Sequence, residues 1–172
     1  MLGPDTRAVA FLTRVLQPGF AVSALAEDGT LLGLAGVKTA DGGLIGGRLG
    51  DLAAVYGWPG ALWRGPMLEV LERNLEPGVL QMDGICVSPE ARGRGVGTTL
   101  LNAVKALAAE HGATAVRLDV IDTNPRAEAL YRREGFVPGK RESLGPLRLV
   151  FGFRSSLRMV FALTPPAAEE TT

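Results

Sequence analysis

Apolar positions recur along this chain with two periods, and their succession lays out the expected elements. Val9, Leu12, Thr13 and Leu16 fall at i, i+3, i+4 and i+7, one face of a helix over Asp5 to Leu16, with Asp5 able to cap its start. Pro18-Gly19 ends it. Phe20 to Ala26 and Leu31 to Thr39 read as strands joined by Glu27-Asp28-Gly29-Thr30, a hairpin signal. Asp41-Gly42-Gly43 reads as a break. Between Leu44 and Gly78 the spacing of Leu49, Leu52, Ala53 and Tyr56, then of Met67, Val70, Leu71 and Asn74, predicts two short helices, closed by Glu76-Pro77-Gly78.

Val79 to Val87 is the next strand, stopped by Pro89. Val96, Leu100, Val104, Leu107 and Ala108 form one stripe of a helix over Gly95 to His111, with Gly112 at its C-terminal cap. Ala115 to Ile121 is a strand. Asn124 caps a helix that starts with Pro125 and stops at Gly135. Phe136 to Glu142 and Ser156 to Leu163 are the last strands, and Leu144 to Phe153 between them reads as an apolar loop carrying Arg148. The order mixes hairpins with one β-α-β crossover, which implies an α+β sandwich around a mixed sheet. Residues 1–163 make one domain, and Thr164 to Thr172, rich in Pro, Glu and Thr, reads as a disordered tail.

Composition narrows the classes. The 172 residues suffice for one sizeable core. Eighteen acidic and eighteen basic side chains cancel, which argues against a nucleic-acid-binding protein. One cysteine, Cys86, excludes an internal disulfide, and one Cys with one His cannot make the usual zinc site, so no metal is expected. No apolar run reaches the roughly 18 residues of a membrane span. The first residues lack the charged-then-apolar pattern of a secretory signal, so the cytoplasm is the expected location.

The chemistry concentrates in Met82 to Gly97, a strand, a Gly/Arg loop and the first turn of a helix. Such a junction aims backbone N–H groups outward at the positive end of a helix dipole and suits a phosphate. A nucleotide P-loop needs Gly-Lys-Ser/Thr, which is absent. A dinucleotide fold needs Gly-x-Gly-x-x-Gly. Here the spacing is Gly93-x-Gly95-x-Gly97 with Thr98 in the third place, although Asp119 on the next strand could pass for the ribose-binding acid.

Arg92-x-x-Gly95-x-Gly97, following Val87-Ser88-Pro89 and preceding a long helix, resembles the signature of the GNAT superfamily of acyl-CoA-dependent N-acyltransferases. A second block strengthens the resemblance. Asn124-Pro-Arg-Ala-Glu-Ala-Leu-Tyr131-Arg-Arg-Glu-Gly-Phe136 is similar to the family's Asn-x-x-Ala-x-x-x-Tyr-x-x-x-Gly-Phe segment. The resemblance implies a GNAT-like α/β sandwich with a mixed, mostly antiparallel sheet flanked by helices. It also implies acetyl-CoA as the acyl-donor cosubstrate. The amide groups of Gly93, Arg94, Gly95, Val96, Gly97 and Thr98 would surround its pyrophosphate, with charge added by Arg92 and Arg94. The strand before the loop would splay from its neighbour, and Ile85, Cys86 and Val87 would bind the pantetheine arm as an added strand does. Cys86 itself reads as a small core residue in preference to a nucleophile.

Asn124 and Tyr131 lie seven residues apart, about two helical turns, and so share a face. The resemblance implies that Asn124 contacts the pantetheine arm and that Tyr131 protonates the departing thiolate, for which a phenol near its ordinary pKa of about 10 is suited. An N-cap for Asn124 and a core position for Tyr131 are the structural alternatives. Many relatives carry a Glu as base at the position of Gln81, and Gln cannot serve. Asp83, which alternation puts on the same face, is the candidate base. Glu69 and Glu72 are more distant candidates, and His111 at a helix end serves the dipole.

The family usually opens with a strand and a helix before the helix that leads into the hairpin. Here the chain starts at that second helix, so either the first strand is missing or the start lies downstream in a longer gene product, and the sheet edge is exposed or paired in a homodimer. The acceptor, an amine of a small molecule or peptide, would meet Leu44 to Gly78 and the Leu144 to Phe153 loop; Tyr56, Trp58 and Trp63 either line its pocket or, the preferred reading, serve helix packing or a dimer contact. The alternative to an enzyme is an acyl-CoA-binding or regulatory module of the same fold. An NAD(P)-dependent oxidoreductase is the weaker third reading.

Overall fold

The largely apolar runs Ala21–Leu25 (β1) and Leu31–Thr39 (β2) pair as an antiparallel hairpin. The turn is held by Asp28, whose Oδ1 accepts from the Thr30 N–H at 2.9 Å, the local bond for which Asp is favoured in turns. The computed structural model describes residues 5–46, 50–51, 54–55, 75–145 and 148–163. The expected acceptor aromatics Tyr56, Trp58 and Trp63, the acids Glu69 and Glu72, and the tail lie outside these residues.

Asp41-Gly42-Gly43, read above as a break, turns straight back into a short strand. Gly42–Gly43 (β3) pairs with β2 through Thr39↔Gly42 and Lys38↔Gly43. Glycine allows this because a Cβ on Gly42 would stand 2.8 Å from the Phe20 ring. Phe20 itself falls in a 3-10 turn, Pro18–Phe20, and β1 starts one residue later.

Four further strands complete the sheet: β4 (Val79–Val87), β5 (Ala115–Ile121), β6 (Val137–Ser143) and β7 (Ser155–Ala162). Their order is β1-β2-β4-β5-β7-β6, with β3 on β2. Only β4 and β5 run parallel, the crossover being made through the helix α2, Val96–Glu110. Among the described residues no strand precedes the first helix, α1 (Asp5–Val15), and β1 is an edge of the sheet.

The buried face of α1 is not the expected one. Phe11 and Val15 are buried, whereas Val9 is 61% exposed and Leu16 40%. Ala8, Phe11, Leu12 and Val15 satisfy the same i, i+3, i+4, i+7 template, and the large Phe11 ring decides which face is covered.

The core lies between α2 and the sheet. Val96, Leu100, Leu101, Val104 and Ala108 pack on Leu80, Met82, Val116, Leu118, Val120 and Met159. The helix ends as predicted, with the Ala113 N–H donating to Ala108 O and the Gly112 N–H to Ala109 O. The helix α3 (Pro125–Arg133) follows β5. The expected apolar loop over Leu144 to Phe153 contains a one-turn helix, α4 (Arg148–Phe151), closed by the Gly152 N–H donating to Arg148 O at 3.0 Å.

The opposite face of β4 and β5 carries a polar cluster. Arg117 is only 2% exposed, and its guanidinium donates to Glu76 Oε1 at 2.6 Å and to Gln81 Oε1 at 2.9 Å. Glu76 also accepts from Arg158 at 3.1 Å. Deleting the carboxylate takes a charged partner from the buried Arg117, so Glu76→Ala should destabilise the fold by about 2 kcal/mol, below the full cost of breaking a buried pair because the Gln81 bond remains and Glu76 is half-exposed. Urea denaturation reads this, and an unchanged midpoint would remove the pair from the stability of the fold.

Candidate active site

The site begins with a change in pairing along β4. Its first half pairs with β5 from Val79↔Ala115 to Met82↔Leu118, and there the ladder stops. Both strands continue, β4 to Val87 and β5 to Ile121, each still paired on its outer side with β2 or β7. A wedge therefore opens between the two strands from Asp83 and Asp119 onward. The cause lies in β4. Gly36 faces Gly84 and Val37 faces Met82, so Asp83 is an extra residue without an opposite on β2. Such a bulge bends the strand and increases its twist, which swings the rest of β4 away from β5. The expected splay is present, and the backbone of Ile85, Cys86 and Val87 borders it.

Asp83 is exposed, and its Oδ2 lies 3.4 Å from where a Cβ of Gly43 would stand. Gly43 faces Lys38, which faces Gln81, so Asp83 and Gln81 share a face as alternation predicts. Gln81 is 8% exposed and committed to Arg117, which leaves Asp83 as the accessible acid of the strand. Cys86 corrects an expectation: it is exposed, not a core residue. It lies beyond the point at which β5 departs, so that neighbour no longer covers it.

Beyond β4, Pro89–Ala91 forms a 3-10 turn that leads into the glycine loop. Arg92 donates from Nε to Val87 O at 3.3 Å, so part of its role is to tie the loop to the strand. Arg94 is exposed. Gly93 (φ 74°) and Gly95 (φ 81°) both adopt left-handed backbone, with open space where a Cβ would be. That conformation costs other residues roughly 1–2 kcal/mol. It brings the chain onto the start of α2 with no side chain capping it, so the amides of its first turn face outward. Gly97 serves differently. A Cβ there would lie 3.1 Å from Leu130 Cδ2, so it lets α2 and α3 pack closely. Thr98 does not point outward; its Oγ1 donates to Glu134 Oε1 at 2.8 Å, and Lys105 donates to the Glu134 carbonyl at 2.8 Å. These bonds fix the end of α3 against α2.

Asn124 caps α3, its Oδ1 accepting from the Ala127 N–H at 3.2 Å, and remains exposed. Tyr131 is 5% exposed and packs 5.9 Å from the Phe136 ring. Its hydroxyl makes no hydrogen bond to another described residue. Burial pushes its pKa up to about 12. The phenol thus stays protonated at neutral pH but is a weaker acid than a free thiol by about 3 units, roughly 4–5 kcal/mol. The sign for stability follows: the folded pKa exceeds the unfolded one, so this contribution is whole below pH 10 and lost as pH rises toward 12. Wild type should therefore lose more stability than Tyr131→Phe between those pH values. Equal losses in a urea series would place Tyr131 nearer water than the structure has it.

No cluster of three His, Cys, Asp or Glu side chains able to hold a metal occurs among the described residues. No described helix is long and apolar enough to cross a membrane.

A strand that parts from its parallel neighbour at a bulge, an uncapped helix start behind left-handed glycines, and a buried tyrosine on the next helix form one arrangement. The Acetyltransferase (GNAT) family matches residues 4–136 of this sequence. The chain belongs to that family. The GNAT match includes the wedge, the glycine loop and Tyr131. Thialysine N-epsilon-acetyltransferase of Bos taurus is 38% identical over 56 residues, which is 33% of this chain and 33% of the bovine protein. The chain thus matches a third of that curated relative's length. Among solved structures, nourseothricin acetyltransferase superposes with a TM-score of 0.57 at 24% identity, over 84% of this chain and 65% of the other. An acetyltransferase of Bacillus subtilis in complex with CoA superposes with 0.56 at 16% identity, over 84% and 76%. These two likenesses establish the fold.

Proposed function

We propose that this GNAT chain is an acetyl-CoA-dependent N-acetyltransferase acting on an amine of a small molecule or peptide. The observation that carries the reading is the wedge between β4 and β5 ending at an uncapped helix start, with Tyr131 on the helix that follows β5. The groups present suit the cosubstrate. The amides from Gly93 to Thr98, with Arg94, can receive a pyrophosphate, and the unpaired edge of β4 at Ile85 to Val87 can receive an amide-bearing arm. Asn124 stands at the same end. Acetyl-CoA supplies the acyl group in activated form, as a thioester.

The chain's own contributions follow from position. A backbone N–H of β4 bordering the wedge stabilises oxyanion character. Asp83 accepts the proton that the attacking amine loses, directly or through water. Tyr131 donates its O–H hydrogen bond to the departing sulfur. With its pKa at about 12, full transfer is uphill, so the phenol acts chiefly by stabilising developing thiolate. The bovine relative's name gives thialysine as one amine to include among those tried.

Thiol release from acetyl-CoA across an amine panel tests the proposal. Turnover with at least one amine is expected, and Asp83→Asn should reduce kcat about 10-fold at pH 7 with a smaller loss at higher pH, where the amine is already neutral. CoA binding without turnover on any amine would instead assign the chain to an acyl-CoA-binding module.

A further inference from the structure

A cleft of about 500 Å³ lies at the carboxyl end of β5, lined by Asp122, Thr123, Arg148, Gly152, Phe153 and Arg154. Its walls are fixed to one another. The Asp122 N–H donates to Ser155 O at 3.0 Å, and the Arg154 N–H donates to Asp122 Oδ1 at 3.1 Å. Thr123 adjoins Asn124, and Asp122 directly follows the strand that borders the wedge, so the cleft sits at the end of the sheet where β4 and β5 part.

Its charges are distinctive. The arginines on β5, β6 and β7 are engaged: Arg117 and Arg158 by Glu76, Arg141 by Ser155. The guanidinium groups of Arg148 and Arg154 have no such partner among the described residues, and both residues line this one cleft. Phe153 adds an apolar wall, and the Asp122 carboxylate is the only opposite charge among the lining residues. Two free planar forks on one concave surface suit a carboxylate or phosphate group, which each guanidinium can bind with paired hydrogen bonds. The volume suits a small molecule.

We propose that Arg148 and Arg154 bind an anionic group, carboxylate or phosphate, on the acceptor, so that the substrate is a small amine carrying a negative charge. This rests on acyl transfer at the wedge as read above. The anion is held at the cleft while the amine reaches toward the thioester end of the wedge.

Isothermal titration calorimetry on the full chain, saturated with CoA, tests this with matched probes. These are the common amino acids against their carboxamides, and phosphoethanolamine against ethanolamine. At least one charged member should bind 10-fold or more tightly than its neutral partner. Arg148→Gln with Arg154→Gln should abolish that preference while leaving the dissociation constant of acetyl-CoA within 2-fold and the melting temperature near that of wild type. Equal binding within every pair, or no binding by any charged probe, overturns the proposal. A weakened affinity for acetyl-CoA in the double variant also overturns it, since the arginines would then serve the donor. Acyl transfer is read separately by thiol release, so a chain that turns over amines without charge preference would keep the function and lose this inference.

Discussion

Tyr131→Phe is expected to lower kcat about 100-fold while changing the KM for acetyl-CoA by less than 3-fold. The substitution removes one oxygen from a side chain that already belongs to the core beside Phe136. Phe fills the same space, and the hydroxyl makes no bond to a described residue that would be lost with it. The fold should therefore be unharmed, and the melting temperature should hold or rise. What disappears, on the mechanism proposed above, is the donor to the leaving sulfur, whose charge develops only in the transition state. Such a loss appears in kcat rather than in binding. Stopped-flow thiol release reads the first quantity and steady-state titration the second. A variant with unchanged kcat would remove Tyr131 from the chemistry and leave it as a core residue.

Gly95→Val is expected to have the second large effect, weakening acetyl-CoA binding 10-fold or more. Gly95 sits at φ 81° directly before α2, a conformation that a β-branched residue adopts only at considerable cost. The chain would relieve the strain by re-aiming the loop, and the amides of the first helical turn would no longer converge. The Cβ itself meets open space, so the core beneath is untouched and stability should fall by only about 1–2 kcal/mol. Gly97→Val makes a useful contrast. There the obstacle is Leu130, so the expected damage is to α2–α3 packing and thermal stability in the first place. Calorimetry of CoA binding beside a melting curve separates the two.

The parts of the fold legible in the sequence were those with strong local chemistry. Asp28 marked its turn through a bond made within the turn, Asn124 marked the start of α3, and Gly112 and Gly135 marked helix ends. The face of α1 was not legible, because Val9, Leu12 and Leu16 fit the same template as Phe11 and Val15, and the spacing alone does not say which set is covered. β3 was hidden because Gly42 and Gly43 read as a break, yet their lack of side chains is what lets the chain fold back past Phe20. The polar side of β5 was equally invisible. Nothing local in Arg117 announces that it will be buried against Glu76, 41 positions away.

The candidate site divides along the same line. The glycine loop and Tyr131 could be named from spacing because each occupies a fixed place in a contiguous motif. The wedge itself depends on Asp83 being an extra residue against β2, a property of register between strands. Cys86 was misplaced for that reason: its residue type said core, and the departure of β5 left it exposed. The cleft of Arg148 and Arg154 joins the end of β5 to the turn before β7, so no single stretch of sequence displays it.

The central claim is that the wedge and the glycine loop together receive acetyl-CoA. Amide NMR of the chain titrated with CoA tests it residue by residue. The account predicts saturable shifts at Ile85 to Val87 and at Gly93 to Thr98, with smaller ones near Asn124 and none along β6. Shifts confined to other elements, or none at millimolar CoA, would contradict it.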